Sequence, residues 1–223
     1  DVAREYYVND VGKQMWHLGN SLFHRYQELH GSTVPYPEKC YKGDYIRDFA
    51  VEFDGIHGAA HVGADYDDPA VAAFFQEFIC ARILADIQDD LEAFGVRIDR
   101  YFRESSLYER DLVFELIERL KESGHIYADP TNGALLFRTT AFGDDEDRVV
   151  LRDDGTPTYF ASDIAYHDEK FARGFDTLID VWGADHHGYI PRMRAGVAAT
   201  GRAPERLEVL LIQFVNLMRD GTH

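Results

Sequence analysis

A chain of 223 residues, 45% hydrophobic and 13% aromatic, holds enough apolar material for one large domain or a domain with a sizeable insertion. No run of eighteen apolar residues occurs, which excludes a helical membrane span, and the start lacks the basic, apolar, small-residue pattern of a signal peptide. Forty acidic residues against 23 basic ones give a net charge of −17, which argues against holding a nucleic acid through this chain alone, because phosphate neutralisation needs clustered Lys and Arg.

In chain order, residues 6–9 read as a short strand and 12–29 as a helix with Met15, Leu18, Leu22 and Tyr26 on one face. Residues 35–43 form a loop, 44–50 a short helix and the glycine-rich 55–63 a linker. Asp68-Pro69 supplies an N-cap and a first-turn proline. Val71, Phe74, Phe75, Phe78, Ile83, Ile87, Leu91 and Phe94 then recur at helical spacing until Gly95 closes the helix. Two cysteines, Cys40 and Cys80, make no disulfide framework and read as buried, inert thiols in a reducing compartment.

Ser106-Leu107-Tyr108-Glu109 has the pattern of a capping box and opens a helix with Val113, Leu116, Ile117 and Leu120 inward, ended by Gly124. Residues 135–140 and 148–152 read as strands, and Asp154-Gly155 turns the second back into 158–160. A helix over about 163–172 follows, then a buried strand over 177–182, a helix over 189–200 ended by Gly201, and a strand over 208–214. Strand, helix and strand in succession predict a parallel βαβ crossover. The middle, 36–140, reads as an insertion between a first strand and a parallel-sheet half. Asp220-Gly221 predicts a hairpin turn, and the missing initiator methionine adds the expectation of a fragment lacking a leading and a trailing element.

Candidate chemistry gathers in 158–192. Asp185-His186-His187 follows a strand and is flanked by Gly183 and Gly188. Three readings are open: a metal site, which lacks His-x-x-x-His or Cys-x-x-Cys spacing; helix-capping side chains; or a nucleotide or substrate loop whose helix amides favour an anion. Tyr159 and Asp163 lie four apart at a strand-to-helix passage, and a carboxylate beside an aromatic face suits a planar cation. Asp163 also reads as an ordinary N-cap, and His167, one turn on, as a polar structural residue. Asn9 and Asp10 sit at the carboxyl end of the first strand, where turn chemistry alone would also place them. The acidic run 143–147 reads as a solvated turn, since it lacks calcium-loop spacing.

These residues stand within a longer ordered series: REYYVNDVGKQM (4–15), LYERDLV (107–113), RTTAFGDDEDRV (138–149), DGTPTYFASDIAYHDEKFARG (154–174), WGADHHGYIPR (182–192) and LEVLLIQFVNLMRDG (207–221). The series resembles arginyl-tRNA synthetase of the bacterial and archaeal type, a class I aminoacyl-tRNA synthetase. The resemblance implies an α/β fold, a Rossmann-like parallel sheet with a connective α+β insertion. It divides the chain into core (1–35), insertion (36–140) and second half of the core (141–223). It implies ATP-dependent activation of L-arginine, with Mg2+ accompanying ATP and no tightly bound cofactor, then transfer to tRNA(Arg) in the cytoplasm. Tyr159, Asp163, His186, Asn9 and Asp10 are the implied arginine-binding residues, and Gly183, Asp185 and His187 the ATP-binding ones.

Class I enzymes also carry a His-Ile-Gly-His-like and a Lys-Met-Ser-Lys-like motif. The resemblance puts these just before residue 1 and just after residue 223, so the chain holds no catalytic signature residue, is expected to be inactive alone, and leaves tRNA mainly to other domains. Two other readings remain: a non-catalytic synthetase-like module binding arginine or a protein partner, and a metal-dependent hydrolase using Asp185, His186, His187 and His167.

Overall fold

The computed structural model describes residues 1–216 and 218. The chain folds as two compact units, Asp1–Ser106 and a second that starts at Leu107. The first contains β1 (Glu5–Val8), α1 (Lys13–Leu29), α2 (Asp44–His57), α3 (Pro69–Ala93) and β2 (Arg100–Arg103). Leu22 and Tyr26 of α1 meet Ile46, Ala50 and Phe53 of α2 and Phe75 and Ile79 of α3 in one buried core, where the Phe53 and Phe75 rings stack at 4.5 Å. α3 starts as expected: Asp68 Oδ1 accepts the Ala70 N–H at 2.8 Å, and Pro69 is the first helical residue.

Two local expectations, a helix ending at residue 50 and a linker from residue 55, fail in this unit. α2 does not stop at residue 50; it runs on through Gly55 to His57. Ile46, Ala50 and Phe53 repeat at helical spacing, and burying Phe53 completely outweighs the roughly 1 kcal/mol cost of a glycine inside a helix. The glycine-rich stretch therefore begins as helix and becomes loop only at Gly58, whose φ of 54° ends it. β2, inside the stretch read as insertion, pairs in parallel with β1 from Glu5↔Arg100 to Val8↔Arg103. Its four residues, Arg-Tyr-Phe-Arg, are too short and too charged to carry a strand signal.

The short helix α4 (Ser105–Glu109) comes next, followed by α5 (Leu112–Glu122). A single helix was expected here. Asp111 takes a left-handed conformation (φ 58°), which aspartate tolerates better than most residues, and breaks it in two. Ser106 is no N-cap, since its hydroxyl donates to the Arg103 carbonyl at 2.6 Å. β3 (Ile126–Ala128), β4 (Leu135–Phe137) and β5 (Arg148–Leu151) form an antiparallel sheet in that order. β4 is shorter than expected because Thr139–Phe142 winds into a 3-10 turn. The acidic run is only partly solvated. The Asp144 side chain is 4% exposed and ion-paired with Arg148 at 2.9 Å, and Asp147 accepts from Thr140 at 2.7 Å and Tyr127 at 3.0 Å.

Residues 158–160 are not a strand. Gly155 turns the chain back, and Arg152 N–H reaches the Thr156 carbonyl at 2.9 Å, but Thr158 then caps α6 (Tyr159–Ala172) by accepting the Ala161 N–H. The helix begins four residues before its expected start because the Thr158 cap prevails over the β-preference of Thr-Tyr-Phe. β6 (Leu178–Gly183), a 3-10 turn (Ala184–Tyr189), α7 (Ile190–Ala199) and β7 (Leu207–Ile212) complete the unit. β6 and β7 are parallel, registered from Leu178↔Leu207 to Gly183↔Ile212, so the predicted βαβ unit is present and the fold class is α/β. β6 is not buried on both faces, since Ile179 and Val181 are exposed beside Leu210 and Ile212. β7 ends two residues earlier than expected. The expected hairpin at Asp220-Gly221 lies outside the described residues.

Candidate active site

The early start of α6 puts Tyr159 and Asp163 on successive turns of one helix, four residues apart and facing the same way. Tyr159 is 65% exposed, whereas Asp163 is half-buried. Asp163 Oδ2 accepts the Tyr189 hydroxyl at 2.6 Å. Burial pushes the Asp163 carboxyl above its usual range, and the Tyr189 hydroxyl only partly offsets this. The Tyr189 phenol is raised in turn, first by burial and then by the carboxylate beside it.

Tyr189 was not among the sequence candidates. It sits in an aromatic setting: Phe160 lies edge-on at 6.1 Å, Trp182 is tilted at 5.9 Å, and the Arg192 guanidinium stands 5.1 Å from its ring centroid. The signal that could have found it is the tyrosine two residues after Asp-His-His, at the entrance to a helix.

His167 is buried, as a structural polar residue should be. Its Nδ1 faces the Asp163 carbonyl at 2.6 Å and its Nε2 faces Asp180 Oδ2 at 2.7 Å. The Asp163 carbonyl can only accept, so Nδ1 is the donor in that contact. Lys170 Nζ donates to Asp180 Oδ1 at 3.2 Å. Burial works against charge on Asp180, but His167 and Lys170 together outweigh it and hold the carboxyl down at about 2. This buried cluster ties α6 to β6 directly beneath the backbone of Asp163.

The loop 183–188 leaves the carboxyl end of β6, where open α/β sheets hold ligands. Gly183, Asp185, His186, His187 and Gly188 are all exposed, and His186 Nε2 lies 3.6 Å from Asp185 Oδ2. A Cβ on Gly183 would come within 2.5 Å of Asp185 Oδ1, while one on Gly188 would meet nothing within 4 Å. The backbone at Gly188 is thus open to a ligand. His167 is turned away into the Asp180 cluster, and among the described residues no three His, Cys, Asp or Glu side chains are grouped to hold a metal ion.

Asn9 and Asp10 belong to the first unit. Asn9 is exposed at the end of β1 and lines a cavity of about 210 Å3 with Tyr6, Val8, Gln14, Met15 and Cys80. The Asp10 side chain is 6% exposed. It accepts the Ser105 N–H at 2.8 Å and the Ser105 hydroxyl at 2.7 Å, with Arg103 Nε at 3.3 Å. Asp10 therefore fastens the start of α4, a scaffold task invisible in the sequence because its partners lie 95 residues away.

The family model described as tRNA synthetases class I (R), catalytic domain, matches residues 1–222. The arginine–tRNA ligase of Syntrophotalea carbinolica is 51% identical over 221 residues, which make up 99% of this chain and 39% of that protein. That of Geobacillus thermodenitrificans is 48% identical over 221 residues with the same coverage. A crystal structure named as an arginyl-tRNA synthetase of Campylobacter jejuni superposes with a TM-score of 0.87 at 38% identity, covering 99% of this chain and 47% of that one. The chain spans about two fifths of the length of the curated relatives it matches.

Proposed function

We propose, on the premise that the chain belongs to the class I arginyl-tRNA synthetase catalytic-domain family with its Rossmann-like α/β fold, that it supplies the arginine-reading part of an arginine–tRNA ligase active site. The observation that carries this reading is that half-buried Asp163 and exposed Tyr159 lie four residues apart on one face of α6. A guanidinium needs a bidentate acceptor and a π face, and the two residues offer both.

The whole protein would bind L-arginine with Mg2+-bound ATP as co-substrate and use no tightly bound cofactor. An arginine carboxylate oxygen attacks the α-phosphorus, and the bond to pyrophosphate breaks. The 2′-hydroxyl of the terminal adenosine of tRNA(Arg) then attacks the activated carbonyl and AMP departs. Such chemistry rests on positioning and charge stabilisation more than on a protein nucleophile.

In this reading His186 lines the arginine pocket, Gly183, Asp185 and His187 face the adenosine, and Asn9 and Asp10 contribute from the end of β1. The division into core (1–35), insertion (36–140) and core (141–223) goes with it, as do tRNA binding mainly through other domains and a cytoplasmic location. Among the described residues, no helix is long and apolar enough to cross a membrane.

Aminoacylation by the whole gene product tests the proposal. Asp163→Ala is expected to weaken arginine recognition by about 2–5 kcal/mol, seen as a raised KM for arginine. An unchanged KM would refute the role given to Asp163.

A further inference from the structure

We infer that Tyr189 is a positioning residue for arginine selection: its hydroxyl locks the rotation of the Asp163 carboxylate, so that this group offers oriented lone pairs to a planar guanidinium rather than a diffuse negative charge. The inference rests on the reading of Asp163 as the guanidinium acceptor.

Among the described residues, Tyr189 is the one side-chain donor to the Asp163 carboxylate, at 2.6 Å to Oδ2. A phenol has a single proton, and next to an acceptor-only carboxylate that proton is committed. It occupies one lone pair of Oδ2 and leaves Oδ1 whole. The phenol cannot follow the carboxylate if the latter turns, because its ring is held by Phe160, Trp182 and Arg192. The other end of Asp163 is held too, since His167 Nδ1 donates to its backbone carbonyl at 2.6 Å. Both the main chain and the carboxylate plane are therefore fixed before any ligand arrives, which reduces the ordering left to binding.

The remaining charged groups near Asp163 are otherwise engaged. His167 and Lys170 on α6 are paired with Asp180 of β6, and Arg192 of α7 stands over the Tyr189 ring, with Asp144 as its ion partner at 3.8 Å. From α4, α5 and the turn between them, Tyr108 meets Ser162 at 2.6 Å, Arg110 pairs with Glu169 and Arg119 with Asp168. Orientation at Asp163 thus falls to Tyr189. A guanidinium fork is sensitive to that orientation, whereas an ammonium, being close to a point charge, is much less so.

The test is Tyr189→Phe in the whole gene product, which keeps the ring and removes only the hydroxyl. Aminoacylation is followed against arginine concentration and pH. The KM for arginine is expected to rise about tenfold or more, with kcat far less affected. The acid limb of kcat/KM should also move to higher pH, because the charged form of Asp163 loses a donor. A merely structural role would lower kcat or stability without moving that limb.

Asp163→Asn, measured alongside, separates the two levels. An unchanged KM in Asp163→Asn overturns the guanidinium reading and this inference with it. A raised KM there, with KM and acid limb both unchanged in Tyr189→Phe, overturns the role of Tyr189 alone. If circular dichroism shows that Tyr189→Phe fails to fold, 3-fluorotyrosine at position 189 replaces it. That more acidic donor should move the limb to lower pH, and a limb that stays in place overturns the inference.

Discussion

His167 Nε2 lies 2.7 Å from Asp180 Oδ2, both side chains being nearly sealed from solvent, and this contact ties the third turn of α6 to the middle of β6. Removing one partner of such a pair leaves the other less well compensated in the interior. Replacing His167 with Leu, which roughly preserves volume, leaves Lys170 as the sole partner of Asp180. A loss of about 3 kcal/mol is expected, measurable as a lower midpoint in urea unfolding at an unchanged slope. A loss of only a few tenths would show the pair to be solvated.

The same cluster dictates an acid response. The folded Asp180 carboxyl titrates at about 2, below its ordinary 3.8. A depressed carboxylate contributes stability that is fully present above the unfolded value and is lost as pH falls through the folded one. The difference corresponds to about 2 kcal/mol. Unfolding free energy should therefore decline between roughly pH 4 and 2, and the decline should be shallower in Asp180→Asn. Equal slopes in both proteins would remove Asp180 from the account.

Asp163 behaves in the opposite sense. Burial raises its carboxyl, so the folded protein holds the charged form at a cost above that raised value, and the cost disappears below the ordinary 3.8. Asp163→Asn should thus melt at a higher temperature than the parent at pH 7, with the gap closing as pH falls toward 4. That variant would bind arginine worse while being more stable, the pattern of a group kept for recognition. A lower melting temperature at pH 7 would contradict the electrostatic account.

The regular elements were legible where local signals agreed. α1 and α3 carry apolar faces and, for α3, an Asp-Pro start; the β6–α7–β7 crossover announces itself through an apolar run, a glycine-rich loop and a second apolar run. Legibility failed where a distant partner decided the matter. The β2 strand exists because β1 is there to pair with it, and α2 continues because Phe53 has Phe75 to stack on. At the site, Tyr159 and Asp163 could be named from residue type and spacing. The Tyr189 contact spans 26 residues and the Asp10 contact 95, and no local pattern encodes either.

Asp10 offers a stability test within the first unit. Its two carboxylate oxygens satisfy the backbone N–H and the hydroxyl of Ser105 at the start of α4. Asp10→Ala removes both acceptors, and the expected cost is about 1–2 kcal/mol, as for loss of a helix cap. Asp10→Asn, which retains one oxygen acceptor, should recover part of it. Chemical denaturation of the two variants checks the order, and equal stabilities would argue against the capping role.

Gly196 tests how α7 is seated on α6. A Cβ there would stand 2.7 Å from Ile164 Cγ1 and 3.2 Å from its Cδ1, and Ile164 is itself buried. On helix preference alone, alanine should stabilise by about 1 kcal/mol, but overpacking in a close-packed contact typically costs about 1–3 kcal/mol. Gly196→Ala is therefore expected to destabilise. Because the cost comes from one contact, it should vanish once Ile164 is shortened. In an Ile164→Ala background the same change should become neutral or stabilising, giving a coupling of about 1–3 kcal/mol in the double-mutant cycle. Tyr189 immediately precedes α7, so a helix pushed away from Ile164 carries the phenol away from Asp163. Gly196→Ala should accordingly raise the KM for arginine in the whole gene product, and the double variant should bring it back toward the parent value.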